Sequence, residues 1–487
     1  MSDSVSRVRT GLPGLDRVLN GGLAQGRMYL VHGQPGTGKT ILGMHFLETG
    51  LENDETVLFV HGEESKDEIL TNGAELGIDV SNAKFLDLGP ESDFFSEHQS
   101  QDLVDPSSIE RHRHTGRIHE AIEEVDPDRL VFDPITQLRY FEASEYQFRK
   151  RILSFIRFLK ERNTTIYATA TLADNRAYST EIQSLSDGII RLRRGKQGRR
   201  LDAVKHRGFG QQDGTHGMEI RDQGIEVFPS LVPESQERSF EIEQYASGID
   251  GLDDLLGGGL ERGTISFVTG PTGVGKTTVA TKFLANATRA GAKSAMYLFE
   301  EGIETLEHRS ETVGIPVTEL RERGDLIIDA VEPLAMSAEE FAQRVEGQVA
   351  DNDVDLVLID GIDGYTLSLQ GEEHLLVEKL HALTRHLKNR DVTVVVTDEM
   401  SQINGIQYAT SSNVSYVADN ILFMGYVEGE GTIEKVIGVL KKRASGFERT
   451  LREFEITENG IAVGDPLTER TGILGGGPPR ERSHSQV

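Results

Sequence analysis

The chain has 487 residues, 37% hydrophobic and 27% charged, with a formal net charge of −28 and a pI near 4.9. This length and composition predict a packed globular protein of two to four domains, and the acidity argues against a protein built mainly to grip nucleic acid phosphates. There is no Cys, which excludes disulfides, thiolate metal sites and Cys nucleophiles. Of the 51 basic residues 15 are Lys and 36 Arg. An acidic, Lys-poor surface suits a salt-rich cytoplasm such as that of a halophilic archaeon, where dense salt screens self-repulsion. The N-terminal MSDSVSRVRTGLPG lacks an apolar run, and no apolar stretch approaches a membrane span, so a cytoplasmic location is expected.

The first predicted element is a strand, MYLVH, running into the loop GQPGTGKT and then a helix. This is the arrangement of a phosphate-binding loop: Gly33, Gln34, Pro35, Gly36, Thr37, Gly38, Lys39 and Thr40. Glycines let the backbone amides wrap phosphate, the helix N-terminus faces negative charge, Lys39 reaches the outer phosphates, and the Thr40 hydroxyl suits Mg²⁺. Next come the apolar runs TVLFV, RLVFD and TIYATA, which read as buried parallel strands. TVLFV leads into Glu63 and Glu64, and RLVFD ends on Asp133. A strand-end Asp beside a phosphate loop can hold Mg²⁺ through water, and two acids at the same sheet end can orient or deprotonate an attacking hydroxyl. RKRILSFIRFLKERN reads as an amphipathic crossover helix. RLRRGKQGRR, residues 191–200, reads as an Arg-rich hairpin suited to a subunit interface; without interleaved aromatics it is a weak nucleic acid site.

The chain then repeats itself. TGLPGLDRVLNGG at Thr10 is answered by SGIDGLDDLLGGG at Ser247, and Lys39 by Lys276 at the same spacing. The second loop is Gly270, Pro271, Thr272, Gly273, Val274, Gly275, Lys276 and Thr277. Glu300 and Glu301 repeat the acid pair, Asp360 the strand-end Asp, and LKKR the earlier VKHR. Thr40, Asp133, Thr277 and Asp360 are thus the candidate metal residues. A duplicated loop with matching acids is far beyond chance in a Gly-rich chain. Domain boundaries are placed at 6–235 and 236–468, with a flexible polar tail over 469–487. Strand–helix alternation predicts an α/β fold, each domain a mostly parallel twisted sheet flanked by helices.

In order and content, these motifs resemble the KaiC family of circadian-clock ATPases over nearly the whole chain. The resemblance implies two tandem RecA-like P-loop NTPase domains, ATP and Mg²⁺ as cofactors, and a two-tiered hexameric ring with ATP between subunits. It implies that Glu63, Glu64, Glu300 and Glu301 are the catalytic glutamates. Lys205, Arg207, Lys441 and Arg443 match the family's residues that reach a neighbour's γ-phosphate. The family's second domain phosphorylates itself on an adjacent Ser-Thr pair. Counting back from Val427 and Glu428 aligns Ser415 and Tyr416 with that pair, so Ser415 keeps the acceptor hydroxyl and Tyr416 replaces the Thr; Thr410, Ser411 and Ser412 lie nearby. The tail is shorter than the family's, which argues against an activator docking there. The expected protein is a regulatory ATPase with a candidate Ser/Thr autokinase activity. A RecA-like DNA-dependent ATPase is the alternative, disfavoured by charge. An ATP-dependent scaffold with little turnover is a third reading, disfavoured by the paired glutamates. Self-association is expected; a membrane partner is not.

Overall fold

A computed structural model describes residues 6–89, 118–141, 145–171, 182–195, 198–233, 243–369, 371, 373–400, 414–429, 431–458, 460–468, 470–471 and 480–481. The chain divides into two compact units, 1–230 and 231–487. Each is an α/β unit around its own sheet, which among the described residues has nine strands.

In the first unit the strands are β1 (Met28–Gly33), β2 (Val57–His61), β3 (Lys84–Asp87), β4 (Arg129–Asp133), β5 (Thr165–Thr171), β6 (Gly188–Arg194), β7 (Arg199–His206), β8 (Thr215–Arg221) and β9 (Gly224–Phe228). Their order across the sheet is β9-β8-β7-β6-β1-β5-β4-β2-β3. From β6 to β3 every pairing is parallel; β6 to β9 form an antiparallel meander. The four apolar runs of the sequence are β1, β2, β4 and β5. They are apolar throughout because both faces are covered. Tyr29, Val31, Phe59 and Val131 enter one core, and Met28, Leu30, Leu58 and Leu130 enter the other. The predicted crossover helix is α2 (Glu145–Glu161), following α1 (Lys39–Glu52). It buries Phe148, Ile152, Phe155, Ile156 and Leu159, which recur at the i, i+4, i+7, i+8, i+11 positions of one helical stripe. The Arg-rich segment is the β6–β7 hairpin, and within it Arg193 Nε pairs with Asp202 Oδ2 at 2.9 Å.

The second unit repeats this plan with β10 (Ile265–Gly270), β11 (Ser294–Leu298), β12 (Leu326–Ala330), β13 (Leu356–Asp360), β14 (Thr393–Glu399), β15 (Asn420–Gly429), β16 (Thr432–Lys442), β17 (Leu451–Thr457) and β18 (Gly460–Pro466). The order is β12-β11-β13-β14-β10-β15-β16-β17-β18, again parallel up to β15 and antiparallel beyond it. Helix α3 (Lys276–Arg289) follows β10. The polar stretch after Gly464 begins inside the sheet rather than as free tail, because β18 extends to Pro466 opposite Arg452. A proline is tolerated there because a strand at the sheet edge has no further partner for its missing N–H. Beyond it, Arg470–Thr471 pairs with Arg480–Glu481, and most of the expected tail lies outside the described residues.

Candidate functional site

Both phosphate loops leave the carboxyl end of a wholly buried strand and enter a 14-residue helix. The first amides of α1 and α3 have no partner within the helix and point into the loop. Gly38 and Gly275, just before the lysines, have φ of 101° and 117°. Only glycine holds that conformation without strain. Space demands it as well: a Cβ on Gly275 would stand 2.4 Å from Ile456 Cδ1. The loops are braced differently. Thr37 donates to Gln34 O at 2.8 Å, whereas its counterpart Val274 is buried in the apolar core. Lys39 Nζ donates to Gly33 O at 3.2 Å and Gln34 O at 3.1 Å, and Lys276 Nζ to Pro271 O at 3.1 Å.

The helix-start hydroxyls meet the strand-end aspartates. Thr40 Oγ1 donates to Asp133 Oδ2 at 2.6 Å, and Thr277 Oγ1 to Asp360 Oδ1 at 2.9 Å. A second threonine, which sequence reading missed, holds each aspartate from the neighbouring strand: Thr169 donates to Asp133 Oδ1, and Thr397 to Asp360 Oδ1 at 2.7 Å. These two threonines recur at matching places in the repeat, and that was the signal available. Burial pushes the Asp360 carboxyl up, while the Thr397 and Thr277 hydrogen bonds pull it down. A hydroxyl touching a strand-end carboxylate is a donor set that fits Mg²⁺, a hard ion that takes few protein oxygens and completes its shell with water and phosphate.

The glutamate pairs follow β2 and β11 and precede helices. In the first unit Ser65 caps the next helix (Lys66–Glu75) in a capping box with Glu68, fixing where Glu63 and Glu64 leave the strand. In the second, Gly302 stands at that cap without a side chain to bond. The members of each pair are not equivalent. Glu64 Oε2 accepts from Asn72 at 3.4 Å and Glu301 Oε1 from Arg309 at 2.6 Å, so the second member leans on the following helix. The first member lies within electrostatic reach of the loop lysine. Burial lowers the Lys39 ammonium and Asp133 and Glu63 oppose it; burial, Asp360 and Glu399 raise Glu300 while Lys276 opposes. Burial also raises Glu64 and Glu301.

Lys205, Arg207, Lys441 and Arg443 are not brought to these loops. In the β6–β7 ladder Gly188 pairs with His206, and Asp187 Oδ2 accepts from the Met28 amide, at the start of β1. The phosphate loop leaves the other end of β1, about 16 Å away at strand rise. Lys205 Nζ donates to Ser186 O at 2.6 Å and Gln183 O at 3.1 Å, and Arg207 Nη1 lies 3.7 Å from Asp187 Oδ1. The second unit repeats this. Lys441 Nζ donates to Ser415 O at 2.8 Å, Arg443 Nη1 lies 3.6 Å from Asp419 Oδ1, and Asp419 Oδ2 accepts from the Ile265 amide at 3.0 Å. The repeated segments LSDGIIRL and VADNILFM contain these two aspartates, but their role as anchors appears only in the fold. Ser415 lies in a short 3₁₀ turn (Val414–Tyr416), half-buried, and the exposed Tyr416 ring stacks on His381. Thr410, Ser411 and Ser412 lie outside the described residues.

Two parallel α/β units, each with a phosphate loop, a Thr–Asp pair and carboxylates at the same sheet end, define a tandem P-loop nucleotide-binding protein. The family model described as "ATPase: KaiC" matches residues 8–232 and 245–468. The chain therefore belongs to the KaiC ATPase family, and it is an ATPase with two tandem RecA-like domains, as the sequence motifs implied. It is similar to the "Circadian clock oscillator protein KaiC" of Thermostichus vulcanus, 29% identical over 98% of this chain and 93% of that protein. The protein of the same name from Synechococcus elongatus is 28% identical over 98% of this chain and 92% of its own length. Among the described residues no helix is long and apolar enough to cross a membrane.

Proposed function

We propose that this chain is a cytoplasmic, ring-forming regulatory ATPase in which both domains, 6–235 and 236–468, hydrolyse ATP between subunits. In this reading Lys39 and Lys276 hold the outer phosphates, and the loop amides from Gly33 to Thr40 and from Gly270 to Thr277 wrap the inner ones. Thr40 with Asp133, and Thr277 with Asp360, hold Mg²⁺. When bound there, Mg²⁺ would supply positive charge to offset the negative charge that develops in phosphoryl transfer. Glu63 and Glu300 take the proton of the attacking water, with Glu64 and Glu301 beside them. A base in that place contributes roughly 10²–10⁴-fold.

One observation carries the assembly: Lys205, Arg207, Lys441 and Arg443 are anchored at the sheet end opposite their own phosphate loops. Cations placed there serve a nucleotide on a neighbouring subunit, which makes turnover depend on a closed ring, a hexamer in this reading. The test mixes two inactive chains. One carries Lys39→Ala with Lys276→Ala, and the other Arg207→Ala with Arg443→Ala. Mixed rings recover hydrolysis where an intact loop meets an intact arginine; no recovery at any ratio refutes the trans arrangement.

In the second domain, Ser415 is the candidate acceptor for phosphoryl transfer to the chain itself. Lys441 Nζ donates to the main-chain oxygen of Ser415, and in this reading Lys441 faces the nucleotide of a neighbouring subunit, which supports Ser415 as the acceptor.

A further inference from the structure

The two nucleotide sites share their loop, hydroxyl, aspartate and glutamate pair, yet their charge differs. β14 ends on Glu399, whereas its counterpart β5 ends on Thr171. In both sheets this last residue lies in register with the glycine that opens the phosphate loop, Gly270 with Glu399 and Gly33 with Thr171. Three residues after the strand-end aspartate, the second unit carries Asp363 where the first has Thr136. Glu399 Oε2 stands 3.8 Å from Lys276 Nζ, with the lysine 11% and the glutamate 38% exposed. The charge of Lys276 also draws down the carboxyls of Glu300, Asp360 and Asp363, each of which burial pushes up. Lys39 meets loop carbonyls, and its strand-end neighbour Thr171 is neutral.

We infer that Glu399 is the resting counter-ion of Lys276, a positioning residue that nucleotide must displace before the lysine can hold its phosphates. The inference rests on the reading of Lys276 as a phosphate ligand. Binding at the second site then breaks an ion pair and also sets phosphate oxygens beside a carboxylate that cannot leave its strand end. Among the described residues the first site has no counterpart of this ion pair, since Thr171 stands in the place of Glu399. Glu399 thereby sets the affinity of the second site through Lys276 without touching the scissile bond.

The experiment uses the full chain and a fluorescent ATP analogue. With the first site silenced by Lys39→Ala, Glu399→Gln and Glu399→Thr are each expected to tighten binding at the second site about fivefold, the scale of one partly exposed charge pair with its repulsion. The gain should shrink as salt is added. With the second site silenced by Lys276→Ala, Thr171→Glu is expected to weaken the first site by a similar factor. A gain in affinity cannot come from a damaged fold. Unchanged or weaker binding in both Glu399 variants overturns the inference. If the Lys39→Ala, Lys276→Ala chain still binds the analogue at the second site, it is the phosphate-ligand reading that fails.

Discussion

Lys441 Nζ donates to the main-chain oxygen of Ser415 at 2.8 Å, and in the first unit Lys205 makes the same bond to Gln183. Each lysine therefore pins the turn that leads into the buried aspartate at its strand start. At the position both lysines bond, the second unit carries the hydroxyl of Ser415 where the first has Gln183. If that hydroxyl is an acceptor, the intact mass of the chain should rise by one phosphoryl group on incubation with ATP and Mg²⁺, and Ser415→Ala should show no rise. A parent chain whose mass stays constant ends the autokinase reading.

The proposed ring assembly rests on the same placement. Sizing chromatography at high salt should show a ring with ATP and Mg²⁺ and a smaller species without them. Arg207→Ala and Arg443→Ala should each lower turnover at one tier by about 10³-fold, the scale of an arginine supplied in trans. Nucleotide binding should persist in these variants. A nucleotide-independent monomer with full activity would remove the trans role of both arginines.

The threonine–aspartate pairs make a prediction with two readouts. Thr277→Val removes the hydroxyl that bonds Asp360. Hydrolysis at the second site should then need more Mg²⁺ and fall by about 10- to 100-fold. Thermal stability without nucleotide should fall by only about 1 kcal/mol, because Thr397 still bonds the buried carboxylate. A variant with a normal Mg²⁺ requirement would show that the pair is structural alone.

In the proposed mechanism the glutamates set a pH limit. Burial, then Asp360 and Glu399, hold Glu300 above the ordinary 4.5. Burial raises Glu301 as well, against the pull of Arg309. A base must be ionised, so second-site hydrolysis should fail as pH drops through these raised values, above 4.5 rather than at it. The stability sign is opposite. A carboxyl with a raised folded pKa adds stability below its unfolded pKa, and that contribution is lost as pH rises through the folded one. Glu300→Gln with Glu301→Gln should flatten the acid limb and lower the rate by about 10²-fold. Wild-type turnover in that variant would dismiss the pair as catalysts.

Much of this protein was legible in its residues because the informative signals are local. A phosphate loop needs its glycines, lysine and threonine within eight positions, and both copies show them. The strands announced themselves as unbroken apolar runs because each is covered on both faces. The glutamate pairs were visible as acids closing a β-rich run, but the division of labour within a pair was not. Whether Glu301 faces the loop or Arg309 depends on the rotamer and on the helix that follows.

By itself the sequence determined a duplicated α/β chain of the KaiC type, with two phosphate loops and a strand-end aspartate in each copy. Those features are written in neighbouring residues or in a spacing repeated between the copies. The tertiary structure alone decided that Thr169 and Thr397 back the strand-end aspartates, that Lys205 and Lys441 lie at the far end from their own loops, and that Glu399 confronts Lys276. The partners in the first and last of these are separated by tens to more than a hundred residues of chain, and the distance from loop to lysine is likewise a property of the sheet. They are set only when parallel pairing fixes which strand ends lie side by side.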